Sequence, residues 1–238
     1  ERLITGPDVV SIIIIPGMTL ADIDSMLADA RVIISGALRN VSIGKLKIAY
    51  PFLDNAKNIE GFLVPDTYQF TLHTDPYTVV QKMLDEFQEN MAPLLQGTTS
   101  DLYRTTIIAS LIEKEVPEHG DDREMVSGII HRRLAMGMGL QIDATVVYAL
   151  CNGAVKDCIE RVSLRRSDFR IDSPYNTYVH AGLPPSPIGN PGMNAMSAAA
   201  HPKKTNYLYY LSDPKTGRTI FSETLEEHNS NRARYLNL

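Results

Sequence analysis

The spacing of hydrophobic and polar residues changes along the chain and predicts a mainly helical α+β fold. Apolar residues three and four positions apart are typical of helices, whereas alternation is typical of strands. Helices are predicted from position 19 onwards and over 30–38, 76–93, 123–136, 144–150, 163–169, 194–200 and 223–236. A strand is predicted over 9–15, extended chain over 59–70, and a hairpin that pairs 207–211 with 218–221. Thr19 and Asp22 have the spacing of a capping box, and residues 41–58 show no regular pattern.

A central helix, capped by Ser100 or Asp101 and ended by Pro117, carries a carboxylate on its hydrophobic stripe. Positions 108, 111 and 112 are apolar, and the next position in the i, i+3, i+4, i+7 series is Glu115. Each residue advances about 100° around a helix, so Glu113 lies roughly 200° away. We therefore expect Glu115 to face inward and Glu113 to face outward.

An inward-facing Glu115 has two interpretations. A carboxyl group against apolar neighbours keeps its proton to higher pH, which suits a general acid. Alternatively, it is a buried glutamate satisfied by a lysine, an arginine or a backbone donor. Arg133 is a second charged residue on an apolar stripe, that of the helix predicted over 123–136. It either partners a buried acid or extends its charged end to solvent at the helix end.

Three polar residues, Gln141, Asp143 and Thr145, alternate with apolar ones after that helix. In extended chain this period of two would point all three side chains to one side. Asp143 is also placed to cap the helix predicted over 144–150, and the two roles are compatible.

A proline-rich segment covers residues 173–192. Its five prolines exclude a helix or a central strand and predict a rigid loop. The loop displays Tyr175, Asn176 and Tyr178, and rigid loops with polar and aromatic groups often line binding clefts. A plain connecting loop is the alternative.

Composition limits the partners of the chain. The 238 residues, 44% of them hydrophobic, suffice for one large domain or a domain with a small appendage. A net charge of -5 without a basic stripe argues against a nucleic-acid partner. Cys151 and Cys158 could form a disulfide or remain two thiols, and no further cysteine or histidine cluster completes a metal site.

Six sequence strings occur in a fixed order along the chain. They are Glu60-Gly-Phe-Leu-Val-Pro-Asp-Thr-Tyr68, Ala109-Ser-Leu-Ile-Glu-Lys-Glu115, Leu140-Gln-Ile-Asp-Ala-Thr145, Ser173-Pro-Tyr-Asn-Thr-Tyr178, Gly182-Leu-Pro-Pro185 and Asn190-Pro-Gly192. Together they resemble the endolytic murein transglycosylases of the MltG (YceG-like) family, and the resemblance covers roughly residues 12–236. Each string is weak alone, but six in order are specific. Two positions depart from the family pattern: Arg132 stands where the family usually has asparagine, before Arg133 and Leu134, and Ala144 stands where it usually has proline.

The resemblance implies a bacterial enzyme that acts outside the cytoplasmic membrane on nascent peptidoglycan. A single N-terminal transmembrane helix would anchor it, and this chain, which begins at Glu1, would lack that helix. Residues 1–45 would be the C-terminal part of a LysM-like subdomain of α/β structure, and residues 46–238 the YceG-like catalytic domain. The implied partners are glycan strands and cell-wall synthesis enzymes at the membrane. The resemblance implies no cofactor and no metal.

The family's catalytic glutamate corresponds to Glu115, the residue that the helical pattern also selects. We expect it to protonate the glycosidic oxygen between N-acetylmuramic acid and N-acetylglucosamine, then to accept the proton of the muramyl 6-hydroxyl as a 1,6-anhydro ring closes. The residues expected to hold the sugar or Glu115 are Gln141, Asp143, Thr145, Tyr175, Asn176, Tyr178 and Glu60.

Two other functions remain open from the sequence. A muramidase would hydrolyse the same bond with a second carboxylate, for which Glu60 and Asp143 are the candidates. A catalytically silent scaffold would bind glycan without needing Glu115. The products of digestion distinguish the two enzymes, since a lyase leaves anhydro ends and a hydrolase leaves reducing ends.

Overall fold

The computed structural model describes residues 9–95, 101–116, 122–159 and 164–236. Its architecture is the predicted α+β fold, mainly helical with two small sheets. The helices are α1 (Leu20–Asp29), α2 (Ile43–Ala49), α3 (Pro76–Glu86), α4 (Leu102–Glu115), α5 (Asp122–Ala135), α6 (Asp143–Leu150), α7 (Val155–Ile159), α8 (Met193–Ala200) and α9 (Leu225–Tyr235). The strands are β1 (Val9–Ile13), β2 (Thr67–Thr71), β3 (Tyr209–Ser212) and β4 (Thr219–Ser222). A π-helical turn continues α3 over Phe87–Met91, and short 3-10 turns cover Pro51–Leu53, Ala92–Leu95 and Asp168–Arg170.

Helix α4 lies in the core of the protein. Every residue from Thr105 to Ile112 is buried, because α5, α6 and α8 pack against different sides of the helix. The helix begins as predicted at Asp101, whose side chain accepts a hydrogen bond from the backbone N–H of Tyr103. The predicted stop at Pro117 lies outside the described residues.

The prediction that Glu113 faces outward is wrong. Its carboxylate forms a 2.9 Å salt bridge with Arg123 of α5, and the two side chains are only 7% and 6% exposed. Its second oxygen accepts a hydrogen bond from the backbone N–H of Gly192, just before α8. Neighbouring helices therefore cover the side of α4 that an isolated amphipathic helix would leave in water.

The two sheets are both antiparallel pairs. Strand β1 pairs with β2, with Val9 opposite Thr71, and β3 pairs with β4 in the predicted hairpin, with Tyr210 opposite Phe221. Within 59–70, only the end of the segment is strand. The domain boundary predicted at residue 45 falls between β1 and its partner β2. That division of the chain, and the LysM-like character of its first part, stay predictions.

The first helix begins with the predicted capping box. Thr19 accepts a hydrogen bond from the backbone of Asp22, and the Asp22 carboxylate accepts one from the backbone of Thr19. The helix predicted over 30–38 is wrong, since this segment forms turns. Its backbone N–H groups at Gly36 and Leu38 donate to the buried carboxylate of Asp24 instead of to carbonyls one turn back. The segment predicted as irregular, 41–58, contains α2 and a 3-10 turn.

Helix α6 confirms the helix predicted over 144–150 and begins one residue earlier, in place of the extended chain that the alternating pattern predicted over 141–145. Gln141 adopts a left-handed conformation with φ of 54°, and α6 begins two residues later at Asp143. Asp143 is the first helical residue, so it does not occupy the cap position, which is Ile142. The period-two interpretation is therefore wrong, because Gln141, Asp143 and Thr145 are not in a strand.

The two cysteines form a disulfide that closes the turn between α6 and α7. The Cα atoms of Cys151 and Cys158 are 5.6 Å apart. Of the helix predicted over 163–169, Ser163 lies outside the described residues, and only a 3-10 turn ends the segment. No helix among the described residues is long and apolar enough to span a membrane.

Candidate active site

Glu115 is the last residue of α4, and its carboxyl group opens into a pocket of about 390 Å³. The residues lining the pocket come from α4, α5, the α5–α6 connection, the 173–178 loop, β3 and α9. They are Glu115, Arg133, Leu140, Gln141, Tyr178, Tyr209, Tyr210, Leu225, His228 and Arg232. This set is called the Glu115 pocket below. Among the described residues that line it, Glu115 is the only carboxylate.

The environment of Glu115 favours the protonated acid. Burial raises the pKa of Glu115, and the nearby charge of Asp143 raises it further. A hydrogen bond from Tyr210 and the charge of Arg133 oppose the shift, but burial is the largest effect. The negative end of the α4 dipole, where Glu115 lies, also disfavours a carboxylate. The group can therefore act as a proton donor at a pH where an exposed glutamate would be ionised.

Tyr210 holds the carboxyl group of Glu115 in place. Its hydroxyl donates a 2.7 Å hydrogen bond to Oε2 of Glu115. Burial, followed by the neighbouring Glu115 charge, raises the pKa of Tyr210 well above its ordinary value, so the phenol keeps its proton. Among the described residues, no hydrogen bond is made to Oε1 of Glu115, which remains available to a substrate.

Arg133 fastens the hairpin to the wall of the pocket. The side chain is buried, so it does not extend to solvent, and it donates 2.7 and 2.6 Å hydrogen bonds to the carbonyls of Leu208 and Leu140. Its guanidinium also stacks on the ring of Tyr209, 5.2 Å from the ring centre. Arg133 thus acts on Glu115 through its charge, while its hydrogen bonds join α5 to the α5–α6 connection and to the residue just before β3.

The segment before α6 and the 173–178 loop form the opposite wall. The Tyr178 hydroxyl donates a hydrogen bond to the Asp143 carboxylate, and the backbone N–H of Gln141 donates to the Thr177 carbonyl. Gln141 and Tyr178 line the Glu115 pocket, whereas Asp143 is exposed and is not among its lining residues. These contacts bring three of the predicted site residues together beside Glu115.

The other predicted site residues lie elsewhere. Thr145 and Asn176 are fully buried, and their side chains bond to neighbouring backbone, with Asn176 donating to the carbonyls of Phe169 and Ile171. They shape the loop and do not line the Glu115 pocket. Tyr175 lies in a separate shallow cleft beside Tyr148.

Glu60 is not brought to the Glu115 pocket. It is 2% exposed and accepts hydrogen bonds from the backbone of Leu20, from Asn190 and from the Tyr148 hydroxyl. Burial raises the pKa of Glu60 to about 8, against the lowering effect of the hydrogen bonds from Leu20 and Tyr148. Glu60 therefore connects α1, α6 and the proline-rich loop inside the protein. From this buried position it cannot serve as the second carboxylate beside the sugar.

Helix α9 supplies pocket residues that sequence reasoning missed. Leu225, His228 and Arg232 follow helical spacing on one face and line the pocket, and the His228 ring stacks on Tyr209 at 5.2 Å. Burial and the guanidinium of Arg232 lower the pKa of His228, which favours the neutral ring. In the sequence α9 is polar on all sides, so its pocket face has no distinctive pattern. Tyr210 also has no signal beyond its place in the predicted hairpin.

Comparison with known proteins identifies the family. The sequence model of the YceG-like family matches residues 1–234, and the chain belongs to that family. The resemblance inferred from the six strings is thereby confirmed. A crystal structure described as a putative YceG-like protein from Listeria monocytogenes superposes with a TM-score of 0.81 at 33% identity, covering 93% of this chain and 75% of that one.

Two curated relatives carry the name endolytic murein transglycosylase. The protein from Bacillus subtilis (strain 168) is 37% identical over 209 residues, which cover 82% of this chain and 55% of the relative. The protein from Streptococcus pneumoniae serotype 2 is 30% identical over 182 residues, which cover 75% of this chain and 32% of the relative. The chain thus spans about half the length of the first relative and a third of the second.

Proposed function

We propose that this chain is the catalytic part of an endolytic lytic transglycosylase of peptidoglycan. The observation that carries the proposal is the carboxyl group of Glu115, the one carboxylate among the described residues that line its pocket, whose surroundings favour its protonated form and orient it through Tyr210. The names of the two curated relatives support the substrate and the reaction class.

The reaction needs only one acid–base group. Glu115 donates its proton to the glycosidic oxygen while the bond from this oxygen to the muramyl anomeric carbon breaks. The resulting carboxylate then accepts the proton of the muramyl 6-hydroxyl, whose oxygen bonds to the anomeric carbon and closes a 1,6-anhydro ring. Glu115 ends the cycle protonated, and no water is consumed. The nucleophile belongs to the substrate, so a second carboxylate on the sugar's other face is not required.

We expect the residues around Glu115 to have supporting roles in this reaction. Tyr210 keeps the carboxyl group in one orientation through both proton transfers and stabilises the transient carboxylate. The guanidinium of Arg133 also favours that carboxylate electrostatically. The charge of Asp143 instead disfavours the Glu115 carboxylate, which makes that carboxylate a stronger proton acceptor.

A muramidase is the second candidate, and one observation favours it. Asp143 is close enough to Glu115 to raise its pKa, so a second carboxylate stands near the acid. Its contact with the Tyr178 hydroxyl and its absence from the pocket lining favour the lyase over this alternative.

Digestion of purified peptidoglycan with the wild-type chain and with Glu115→Gln tests the proposal. Mass spectrometry is expected to find anhydro-muramyl ends with the wild type and none with the variant. The exposed Glu89 provides a matched control, and Glu89→Gln is expected to leave the products unchanged. Reducing ends would replace the lyase with a muramidase. Equal release by the wild type and Glu115→Gln would exclude Glu115 as the acid, and glycan binding without any release would favour a scaffold.

We also propose that the protein acts outside the cytoplasmic membrane, where an N-terminal helix outside this chain would anchor it beside cell-wall synthesis enzymes. The disulfide between Cys151 and Cys158 supports an oxidising compartment, because such bonds rarely persist in a reducing cytosol. Measuring the accessibility of the full-length protein to protease in intact spheroplasts tests the orientation. Protection of the catalytic part until the membrane is opened would contradict it.

A further inference from the structure

A second cleft lies beside the C-terminal end of α4, at the segment that follows β1. Its volume is about 370 Å³, and none of its described lining residues also lines the Glu115 pocket. It is called the Lys114 cleft here, because Lys114 lines it together with the apolar side chains of Ile15, Pro16, Met18, Met26 and Val155. We infer that the Lys114 cleft binds a small amphiphilic carboxylate, whose charged group pairs with Lys114 and whose apolar body packs on these side chains. The inference does not depend on the proposed function, because it uses no residue of the Glu115 pocket.

The ammonium group of Lys114 lacks a hydrogen-bonding partner within the described part of the chain. Its side chain is half-buried, and no described residue accepts a hydrogen bond from Nζ or forms an ion pair with it. Burial is the largest effect on this group and lowers the pKa of Lys114, while the charges of Asp22, Glu60 and Glu113 oppose that shift. An ammonium group that leaves water without forming hydrogen bonds loses solvation free energy, and an anion in the cleft would offset that loss.

The lining of the cleft carries more positive than negative charge. Asp22 is the only carboxylate among its described lining residues, and its two oxygens accept hydrogen bonds from the backbone N–H groups of Thr19 and Lys156. The side chain of Lys156 is exposed and adds a second ammonium group to the lining. Two lysines and one aspartate leave a net charge of +1, which matches a monoanion such as a carboxylate.

The Lys114 side chain and the wall beside it are held in place by the fold. Nζ of Lys114 lies 3.5 Å from the point where a Cβ on Gly17 would stand, and its Cε lies 3.4 Å from the corresponding point on Gly189. The lysine stem therefore passes against bare backbone at both glycines. The N–H of Gly17 donates to the Asn190 carbonyl, and the N–H of Asn190 donates to the Met18 carbonyl, each at 2.8 Å. A site that is ordered before binding loses little free energy to side-chain ordering.

Apolar side chains extend the site beyond the ammonium group. Met18 and Val155 are buried, Met26 is half-buried, and Ile15 is exposed. Methionine side chains are flexible and adapt to the shape of an apolar ligand. The volume of the cleft lies near the lower end of the range of small-molecule sites, about 300–1,000 Å³. The cleft therefore suits a short aliphatic chain that is attached to the charged group.

Titration of the ¹⁵N-labelled chain with hexanoate, followed by amide chemical shifts, tests the inference. The amides of Gly17 and Lys156 report binding, because both residues line the cleft. Hexanamide has nearly the same shape without the charge, and acetate has the charge without the apolar chain. Each is expected to bind the wild type at least about tenfold more weakly than hexanoate does, since one loses the charge-assisted hydrogen bond and the other the apolar contacts.

Two variants separate the charged part of the site from its apolar part. Lys114→Met keeps an unbranched side chain without the ammonium group, so it is expected to weaken hexanoate binding about tenfold and to remove the preference over hexanamide. Met26→Ala is expected to weaken hexanoate binding while it leaves acetate binding unchanged. The exposed Lys204 supplies the matched control, and Lys204→Met should bind all three compounds as the wild type does.

The comparison of the three compounds decides the result even if a variant fails to fold. Equal binding of hexanoate and hexanamide by the wild type, or hexanoate binding that Lys114→Met leaves unchanged, overturns the inference. Shifts that do not saturate with hexanoate also overturn it, because Lys114 would then only balance the neighbouring carboxylates. N-Acetyl-leucine, which carries the carboxylate of a peptide end, identifies the source of the ligand. Tighter binding of N-acetyl-leucine than of hexanoate supports the site with peptide ends as its ligands, and the reverse order supports it with free aliphatic acids.

Discussion

Tyr210 on β3 donates a 2.7 Å hydrogen bond to Oε2 of Glu115 at the C-terminal end of α4. The two residues come from distant parts of the chain, and the bond ties the C-terminal hairpin to the proposed acid. This hydrogen bond opposes the effect of burial on the pKa of Glu115. The donor stabilises the carboxylate, whereas burial stabilises the protonated acid. The pocket thereby keeps Glu115 able both to donate and to recover a proton.

Replacing Tyr210 with phenylalanine tests this relationship. Loss of the donor is expected to raise the pKa of Glu115 further, so the basic limb of the profile of kcat/KM against pH moves to higher pH. Loss of the fixed orientation is expected to lower kcat about tenfold. Tyr207→Phe, in the same hairpin, is the control and should leave the limb in place. A limb that moves to lower pH would contradict the role assigned to Tyr210.

Asp143→Asn is expected to move the basic limb of the profile of kcat/KM against pH to lower pH. The negative charge of Asp143 raises the pKa of Glu115, so its removal lowers that pKa and reduces the protonated fraction at neutral pH. The asparagine carbonyl can still accept the hydrogen bond of Tyr178, which limits the structural change. The rate at neutral pH should fall by no more than about tenfold. A complete loss of turnover would instead indicate that Asp143 takes part in the chemistry, as in a muramidase.

Breaking the ion pair between Glu113 and Arg123 should affect stability strongly. Both side chains are almost fully buried, and Glu113→Gln would leave the guanidinium without its charged partner. The expected loss in the free energy of unfolding is about 3 kcal/mol, measured by urea denaturation. The double variant Glu113→Gln/Arg123→Met should be less destabilised than the sum of its single variants. A loss below about 0.5 kcal/mol for Glu113→Gln would show that the pair behaves as a surface ion pair.

Glu60 is expected to make stability depend on pH. Its pKa is raised from 4.5 to about 8 in the folded protein, so the unfolded chain releases this proton at lower pH. The stabilisation is complete below pH 4.5 and is lost as pH rises towards 8, by at most about 5 kcal/mol.

Denaturation midpoints measured across that pH range test the expectation. Glu60→Gln cannot ionise and should flatten the decline, whereas Glu89→Gln, at an exposed site, should follow the wild type. An unchanged slope in Glu60→Gln would assign the decline to other groups.

The elements with strong local signals were predictable from the sequence. The capping box of Thr19 and Asp22, the cap at Asp101 and the prolines of the 173–192 loop each act over a few residues, so the pattern identifies them without the fold. Helix α6 was predicted to within one residue, but the alternation around Asp143 was wrongly taken for extended chain, because the left-handed turn at Gln141 leaves no clear trace in the sequence.

Long-range hydrogen bonds account for most of the errors. Residues 30–38 have helical spacing, yet the Asp24 carboxylate takes the N–H groups of Gly36 and Leu38. Glu113 faces away from Glu115 as the helical angle requires, but Arg123 and the backbone of Gly192 cover it. In both cases the deciding partner lies on another element, which no local pattern specifies.

The amino-acid sequence by itself determined the family and the mainly helical fold and made Glu115 the candidate acid, because ordered motifs and helical periodicity are properties of the linear chain. Only the tertiary structure decided what surrounds that carboxyl group. Tyr210, Arg133 and the face of α9 reach Glu115 through packing between distant segments, and the same packing buries Glu60 away from it. A pKa depends on burial and on neighbouring charges in space, so the chemistry of the pocket becomes defined only when the chain has folded.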